Sequence, residues 1–363
     1  MQPTCTHRFD MMKSYKVTRF GSPLEEVDEP TPVPKATEVL LRVVACGVCH
    51  SDLHIWDGHF DLGGGKQMDL SRGILLPRTL GHEIVGEVVA MGADAGDLAI
   101  GSRWVIYPWI GCGQCSLCKA GQEHLCAQPR SIGTSVDGGF SDHVVVPHPR
   151  YLVDFGNVPV DVACTYACSG LTAFSALQKA GPVTPTDPIL IIGAGGVGQS
   201  AIRLCTALHG IGPIVADIDP AKREAALAAG AVRTVDPNDP EVKRALLKST
   251  GGGFAAVIDF VGAASTAEFA MAMLRKGGTL IVVGLFGGSV ELSLPLLPLR
   301  SINIRGSYVG TLDELRELAE LGRDGKIPGI VVAGRPMAQV REALEDLRSG
   351  KVAGRVVLHT EDI

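Results

Sequence analysis

The sequence lacks the features that nucleic-acid-binding, membrane and secreted proteins usually carry. Its 33 Lys and Arg residues against 39 Asp and Glu give a formal net charge of −6, without blocks of like charge. Electrostatic attraction to nucleic acid or to an anionic membrane is therefore not expected. Residues 1–9 contain no apolar signal-peptide core, and no run of about 18 apolar residues is evident. We expect a soluble, cytoplasmic protein.

Signs of disorder and of internal repeats are also missing. Hydrophobic residues make up 46% of the 363 residues and charged residues 20%, which is typical of a globular protein. The 45 glycines and 22 prolines are dispersed, as in a turn-rich structure. At about 150 residues per domain, this length suggests two domains.

The pattern of the sequence changes near residue 160. Before it, short β-segments such as 39–44 and 84–90 are separated by Gly and Pro, which predicts an irregular, mainly β domain. After it, short apolar runs such as 189–192 alternate with helical stretches such as 197–208. That alternation predicts a parallel sheet with helices on both faces. The predicted fold class is therefore α/β, with a mainly β domain and a doubly wound parallel sheet.

A glycine-rich turn directly follows the apolar run at 189–192. Its members are Gly193, Gly195, Gly196 and Gly198, with Val197 between the last two. Such glycines allow a tight turn and let a pyrophosphate approach the backbone at a helix N-terminus. Asp217 ends the next predicted strand about 20 residues on, where a carboxylate would accept hydrogen bonds from ribose hydroxyls and repel a 2′-phosphate. The pattern predicts an NAD site rather than an NADP site.

The ten cysteines do not indicate a disulfide framework, because cytoplasmic thiols stay reduced. Four of them lie close together at regular spacing: Cys112, Cys115, Cys118 and Cys126. Four thiolates in a glycine-bent loop can close a tetrahedral zinc shell, which leaves no position for water or substrate. We therefore predict a structural zinc here, with an iron–sulfur cluster as the competing use of four cysteines.

Cys49 and His82 are the core of a second, dispersed metal-ligand set. Sulfur with imidazole suits zinc, and an open coordination position could take an alcohol oxygen. Two protein ligands cannot hold a catalytic zinc, so a third must come from elsewhere. The residues alone leave four candidates for it: Cys46, Glu83, Cys164 and Cys168.

Together these motifs resemble the zinc-dependent alcohol dehydrogenases of the medium-chain dehydrogenase/reductase superfamily, over residues 13–358. The resemblance is carried by Cys49-x-Ser51-x2-His54, Gly81-His82-Glu83-x2-Gly86, the four cysteines, the glycine turn and Gly354-Arg355. Segments 168–177 and 306–310 look like the yeast-type branch. The resemblance implies a GroES-like catalytic domain of residues 1–165 and 304–363, with a structural-zinc lobe at 112–126. A Rossmann NAD-binding domain of residues 166–303 completes the implied architecture.

The resemblance also implies roles for individual residues around a catalytic zinc. Cys168 would be the third zinc ligand beside Cys49 and His82. Glu83 would be the acidic neighbour that binds the metal during ligand exchange. Asp52 would orient the imidazole of His82 from outside the ligand set.

Proton transfer and cofactor binding have implied residues too. Ser51 would accept the substrate proton and pass it through the nicotinamide ribose to His54, because a hydroxyl both donates and accepts and histidine titrates near neutral pH. His50 and Arg355 would contact the cofactor pyrophosphate, and Lys222 the adenosine ribose.

The implied reaction is reversible hydride transfer between an alcohol and NAD, giving the aldehyde or ketone, with two zinc ions per chain. The alcohol is primary or secondary, aliphatic or aromatic. A homotetramer or a dimer is implied, paired through the edge strand after Gly284. The alternatives are a polyol, sugar or hydroxyacyl-CoA dehydrogenase on the same scaffold, or a non-catalytic NAD(H)-sensing regulator. A zinc-free quinone reductase is disfavoured by the complete ligand set.

One segment departs from the yeast-type pattern. The chain between Trp56 and Gly81 is longer, with a glycine-rich excess around 63–72. This excess is either part of a lid over the substrate cleft or a tolerated surface insertion. Trp56, Trp109 and Tyr308 are candidates for lining the substrate pocket.

Overall fold

A computed structural model describes residues 11–181, 184 and 186–360. Residues 1–10 and 361–363 of the predicted catalytic domain lie outside this part. The first half contains β1 (Met11–Val17), β2 (Glu25–Pro30), β3 (Val39–Gly47), α1 (His50–Asp57), β4 (His59–Gly63), β5 (Lys66–Asp69), β6 (Arg78–Thr79), β7 (Glu83–Met91), β8 (Arg103–Ile106), α2 (Ser116–Lys119), β9 (His143–Val146) and β10 (Leu152–Val153). Short 3₁₀ turns cover Glu123–Leu125 and Pro149–Tyr151.

A long helical stretch leads into the second half. It consists of α3 (Val160–Thr165), a π-helical turn (Tyr166–Gly170) and α4 (Leu171–Ala180). By length and composition this stretch could cross a membrane, but 83% of its apolar window is buried inside the protein, as in a core helix. The sequence pattern does not reveal this helical stretch, because Asp161, Thr165 and Ser169 interrupt its apolar run.

The second half alternates strands and helices as predicted. Its elements are β11 (Ile189–Ile192), α5 (Gly196–His209), β12 (Ile214–Ala216), α6 (Pro220–Ala228), β13 (Arg233–Val235), α7 (Val242–Ser249), β14 (Phe254–Asp259), α8 (Ala264–Met273), β15 (Leu274–Val282), α9 (Leu296–Arg300), β16 (Asn303–Gly306), α10 (Leu312–Arg323), β17 (Val332–Pro336), a 3₁₀ turn (Met337–Gln339), α11 (Val340–Arg348) and β18 (Arg355–His359).

The sheets confirm the predicted α/β class. Six parallel strands form one sheet in the order β13-β12-β11-β14-β15-β16. The first half carries a sheet in the order β10-β8-β7-β3-β18-β17, with β9 also paired to β3. Because β18 pairs antiparallel with β3, the end of the chain returns to the sheet of the first half.

Both domain boundaries predicted from the resemblance fall inside secondary-structure elements. β16 belongs to the parallel sheet, so the boundary between residues 303 and 304 falls inside a strand. The boundary at 165/166 falls inside the continuous helical stretch Val160–Ala180. The division remains a prediction, and the sheet pairing favours a boundary after residue 306.

The central strands of the parallel sheet are buried on both faces, as a continuous apolar strand predicts. Along β11, Ile189 and Ile191 pack into a cluster shared with the first half. Leu190 and Ile192 alternate with them and pack into a second cluster on the other face. The first cluster therefore joins both halves of the chain and packs the parallel sheet against the mainly β part.

Candidate active site

Three buried side chains from distant segments converge between the two halves. Cys49 immediately precedes α1, His82 precedes β7, and Cys168 lies in the π-helical turn. Their ligand atoms all lie within 4.8 Å of one another, and the two sulfurs are 4.0 Å apart. We call these residues the three-ligand cluster.

The cluster fits a metal ion. Within the described residues, both ring nitrogens of His82, Nδ1 and Nε2, are buried without a hydrogen-bond partner, and a buried ring nitrogen needs one. The adjacent Cys168 thiol lowers the pKa of Cys49 against the opposing effect of burial, and His82 adds to the lowering. Two sulfurs and one imidazole are a three-ligand set that leaves a fourth zinc position open.

The structure brings one of the four candidates for the third ligand next to Cys49 and His82. Cys168 is in the cluster, whereas Cys46, Cys164 and Glu83 are not. The Cys164 thiol instead donates to the Asp161 carbonyl at 3.3 Å. The π-helical turn places Cys168, and the neighbouring Ala167 carbonyl accepts a hydrogen bond from Trp109 Nε1 at 2.9 Å. Such turns are common at functional sites, but their position is not readable from apolar periodicity.

Asp52, in the first turn of α1, contacts the residues around the cluster through both of its carboxylate oxygens. Its Oδ2 accepts the Cys49 N–H at 2.9 Å, and its Oδ1 accepts the Gly81 N–H at 3.2 Å. The same Oδ1 lies 3.2 Å from His82 Nδ1. Burial by itself lowers the pKa of His82, but Asp52 and Cys49 outweigh it and the net shift is upward. The Asp52 carboxylate thus lies beside the His82 ring, where an outer partner of a metal-ligating histidine is expected.

Glu83 and Arg355 form a buried ion pair next to the cluster. Glu83 Oε1 also accepts the N–H of Ser169, the residue after Cys168, at 3.1 Å. Burial raises the pKa of Glu83, and the charge of Arg355 opposes that rise. Glu83 therefore connects the segment that carries Cys168 to a cationic side chain at the cofactor pocket.

Five of the predicted cofactor-binding residues line one pocket between the two halves: His50, Gly195, Gly196, Lys222 and Arg355. The pocket is open at the N-terminus of α5, where backbone N–H groups favour an anion. A Cβ atom on Gly196 would lie 2.6 Å from Arg355 Cδ, so the close approach requires glycine. Burial, with the charges of Arg355 and Lys222, lowers the pKa of His50.

The turn before α5 depends on two further glycines. Gly193 has a φ of +90°, which favours glycine. A Cβ atom on Gly198 would lie 1.9 Å from the Gly193 carbonyl oxygen. Val197 is the second residue of α5. The predicted dinucleotide turn is thus present at the carboxyl end of β11.

Asp217 follows β12 and is held next to this turn. Its carboxylate accepts the N–H of Ala194 at 2.7 Å and the N–H of Asp219 at 2.9 Å. Arg223, which the sequence analysis missed, donates to the Asp217 and Ile218 carbonyls at 2.7 and 3.0 Å. The presence of an Arg in the helix that follows Asp217 could have indicated this contact from the sequence.

The residues of the predicted proton path lie on successive turns of α1. Ser51 Oγ is 3.8 Å from Cys49 Sγ, so this hydroxyl borders the cluster. The His54 ring lies further along the helix, 4.6 Å from the Phe60 ring centroid. Burial, together with the charge of His50, lowers the pKa of His54. The imidazole is therefore mainly neutral at pH 7 and able to accept a proton.

Two of the three predicted pocket aromatics lie at the cluster. The Trp109 ring is 5.2 Å from the His82 ring and 5.8 Å from the Tyr308 ring. Burial, with the nearby Cys168 and Cys49 sulfurs, raises the pKa of Tyr308 to about 12. The Trp56 indole donates to the Ser22 carbonyl and its ring packs under Arg348 at 4.5 Å, so its place in the substrate pocket stays a prediction.

The four-cysteine lobe forms a second candidate metal centre. The sulfurs of Cys112, Cys115, Cys118 and Cys126 lie within 4.8 Å of one another. Backbone N–H groups, that of Gln114 first, lower the pKa of Cys112 to about 6. A thiolate shell with N–H···S bonds fits a four-coordinate metal without an open position.

A buried carboxylate that the sequence analysis missed anchors this lobe. Glu123 Oε2 accepts the Gly111 N–H at 3.1 Å and the Tyr151 hydroxyl at 2.8 Å. Its Oε1 lies 2.6 Å from Arg150 Nη2. Gly111 precedes the first ligand, so Glu123 ties the start of the lobe to the 3₁₀ turn Pro149–Tyr151.

Comparisons with known proteins agree with this geometry. Residues 35–157 match the family model of the alcohol dehydrogenase GroES-like domain, and residues 196–323 match that of zinc-binding dehydrogenase. The chain is 34% identical over 349 residues to a protein of Sulfurisphaera tokodaii named NAD-dependent alcohol dehydrogenase, covering 96% of this chain and 99% of that one.

Two solved structures have a similar fold. The alcohol dehydrogenase of Aeropyrum pernix superposes with a TM-score of 0.85 at 28% identity, covering 96% of this chain and 99% of that one. Acetophenone reductase of Geotrichum candidum, in complex with NAD, superposes with a TM-score of 0.83 at 29% identity, covering 96% and 97%.

Proposed function

The chain belongs to the zinc-binding, GroES-like alcohol dehydrogenase family, and from that premise we propose how its own residues carry out the reaction. The reaction is reversible hydride transfer between a primary or secondary alcohol and NAD. The observation that carries the proposal is the three-ligand cluster, which lies next to the pocket lined by His50, Lys222 and Arg355.

Cys49, His82 and Cys168 hold the catalytic metal in this proposal. A zinc ion bound there supplies a Lewis acid that polarises the alcohol oxygen and favours its deprotonation. Asp52 keeps the His82 ring in its ligating orientation through the 3.2 Å contact at Nδ1. Trp109 is buried beside the His82 ring and limits the access of water, and the half-exposed Tyr308 lies against Trp109.

Ser51 and His54 move the proton. The Ser51 hydroxyl, at the edge of the cluster, accepts the proton from the substrate oxygen. His54, one helical turn further on, would be the residue that takes the proton onward from Ser51. The lowered pKa of His54 keeps its ring neutral and ready to accept.

The cofactor is NAD in this proposal. Arg355 and Lys222, with the N-terminus of α5, neutralise the pyrophosphate. Asp217 accepts hydrogen bonds from the adenosine ribose and repels a 2′-phosphate. Glu83 balances the charge of Arg355, and this pair links the cofactor pocket to the segment of Cys168.

The four-cysteine lobe holds a second, structural zinc ion. Support comes from the mutual distances of its sulfurs and from its all-cysteine composition, which suits zinc and leaves no open position. Two zinc ions per chain follow. An iron–sulfur cluster would need the same thiolates and is distinguished by its visible absorption.

We also propose a homo-oligomer, with the homotetramer as the form the yeast-type resemblance favours. The edge strand β16 is exposed along its length, and nearby apolar side chains are exposed: Phe286 at 75%, Leu294 at 70% and Leu299 at 71%. A long exposed edge beside apolar side chains is suited to pairing with a second copy. Light scattering tests this, and a monomer would contradict it. The cytoplasmic location that we expect from the sequence remains a proposal.

The experiment that tests the function combines metal analysis with a substrate panel. We expect about two zinc ions per chain and NAD-dependent turnover of primary and secondary alcohols. Aromatic ketones belong in the panel because one structural relative is named acetophenone reductase. NAD and NADP are compared side by side. Tight NADH binding without turnover of any alcohol, aldehyde or ketone would favour a regulatory protein instead.

A further inference from the structure

The glycine-rich excess of the sequence folds as a β-hairpin rather than as a loop. Strands β4 and β5 pair antiparallel from His59–Asp69 to Gly63–Lys66, with Gly64 and Gly65 at the tip. Most of the hairpin is exposed. One edge of it, however, reaches the cofactor-binding half of the chain.

That contact is backbone against backbone. A Cβ atom on Gly63 would lie 2.5 Å from the Gly288 carbonyl carbon and the Ser289 nitrogen. From the other side, a Cβ atom on Gly287 would lie 2.8 Å from Asp61 Cβ and O. No side chain fits at either glycine without moving the two segments apart. We call residues 61–63 and 287–289 the hairpin contact.

Both sides of the hairpin contact rest on anchored structure. On the hairpin side, Leu70 N–H donates to the Gly58 carbonyl at 2.9 Å, which ties β5 to the end of α1. α1 carries Ser51 and His54, and the Phe60 ring packs at a tilt against the His54 ring. Displacing the hairpin would therefore also disturb the proposed proton path.

On the cofactor side, the loop after β15 is bound to the turn after β14. Phe286 N–H donates to the Val261 carbonyl and Gly287 N–H to the Gly262 carbonyl, both at 3.1 Å. The Asp259 carboxylate in turn accepts the N–H groups of Val261 and Gly262. The hairpin thus contacts a loop that is held in place by hydrogen bonds at the carboxyl edge of the parallel sheet.

The position of this loop determines which half of the dinucleotide cleft the hairpin covers. In a sheet of this kind the dinucleotide lies along the carboxyl edge and spans its two halves. Asp217 and the glycine turn occupy the β11–β12 half, which takes the adenosine. The loop after β15 belongs to the other half, which takes the nicotinamide.

We propose that the 59–69 hairpin is a clasp that retains the cofactor. Its contact at Gly63 and Gly287 holds the two domains together over the nicotinamide half of the cleft, and Gly63 and Gly287 are its positioning residues. The contact slows NADH release, and product release limits turnover in many enzymes. This inference rests on the proposed NAD-dependent function.

The glycines of the hairpin supply a matched test. Gly63→Ala and Gly64→Ala add the same methyl group at a similar positive φ, +78° and +60°, so both strain the backbone alike. Within 4 Å of the added Cβ, Gly64 meets nothing in the described structure, whereas Gly63 meets Gly288 and Ser289. The variants therefore differ in the hairpin contact and not in local strain.

The same comparison is available on the opposite domain. The Cβ atom added by Gly287→Ala, at a φ of +113°, would lie 2.8 Å from Asp61. The Cβ atom added by Gly288→Ala, at a φ of +108°, would meet only Ala264 among the described residues and lie 3.4 Å from Ala264 N, an ordinary contact. Stopped-flow displacement measures the NADH dissociation rate constant for all four variants. We expect Gly63→Ala and Gly287→Ala to raise it about five-fold or more above their controls. The double variant exceeds either single one only slightly, because both break one contact.

Equal dissociation rate constants for Gly63→Ala and Gly64→Ala, and for Gly287→Ala and Gly288→Ala, would overturn the clasp. Hydrogen exchange on the unmodified protein provides a test that needs no variant. NADH should protect the amides of 59–63 and 286–289 together, and protection of the glycine turn alone contradicts the proposal. A protein that shows the clasp effect but turns over no alcohol would overturn only the proposed reaction.

Discussion

The two candidate metal centres use the same kind of ligand but are built in opposite ways. All four thiols of the lobe lie within residues 112–126, half-exposed apart from Cys126. The three ligands of the cluster come from segments as much as 119 residues apart and are fully buried. A local loop can thus close a complete shell, whereas an open shell facing a cofactor needs elements from both domains.

Their surroundings differ as well. The lobe sulfurs are supported by backbone N–H groups within the same loop. The cluster is supported by a buried carboxylate, Asp52, and lies one residue from the Glu83–Arg355 network. We therefore expect the lobe to govern stability and the cluster to govern chemistry, and three variants test that division.

The largest effect is expected from Cys49→Ala. Loss of one cluster ligand should lower kcat at least about 10³-fold, because metal polarisation of the substrate contributes several kcal/mol. NADH binding should persist, as measured by fluorescence titration. The matched control is Cys164→Ala, a buried thiol outside the cluster, which should retain most activity. Full activity of Cys49→Ala would remove the catalytic assignment of the cluster.

A smaller loss is expected from Asp52→Asn. The amide is similar in size but carries no charge for His82, so zinc affinity should fall about 10–100-fold, measured by competition with a chelator. Asp57→Asn is the control, since Asp57 lies at the other end of α1 and pairs with exposed Arg348. If both variants keep wild-type zinc affinity, Asp52 does not support the metal site.

The smallest effect on chemistry is expected from Cys115→Ser. Breaking the lobe shell should lower Tm by roughly 5 °C or more and reduce kcat only indirectly. Calorimetry and turnover at a temperature well below Tm check the two parts. The double variant Cys115→Ser with Cys126→Ser should lower Tm little further, because one ion is lost in both cases. An unchanged Tm with abolished turnover would reverse the roles of the two centres.

Local patterns predicted much of the fold. The continuous run Ile189–Ile192 became a strand buried on both faces, and the glycines after it became the turn into α5. The four-cysteine spacing likewise anticipated a cluster, because its ligands share one loop. In each case the physical cause lies within a few residues, so a single segment carries the information.

Long-range features were predicted less well. Trp56 looked equivalent to Trp109, yet only the packing of α1 against α11 places its ring under Arg348. The 63–72 excess was read as a loop, although its strands pair as a hairpin. Glu123 and Arg223 attracted no notice, since their roles depend on partners brought in by the fold.

The sequence by itself determined the element types, the dinucleotide turn and the local thiol lobe, because periodicity, glycine conformation and close ligand spacing act over short distances. Which thiol joins Cys49 and His82 followed from the residues only with the help of a family resemblance. The role of Cys168 as a ligand remains a prediction, but only the tertiary structure brings Cys168, through the π-helical turn, to within 4.8 Å of both. The same holds for the Glu83–Arg355 pair and the hairpin contact, since burial and backbone contact between distant segments exist only once both domains have packed.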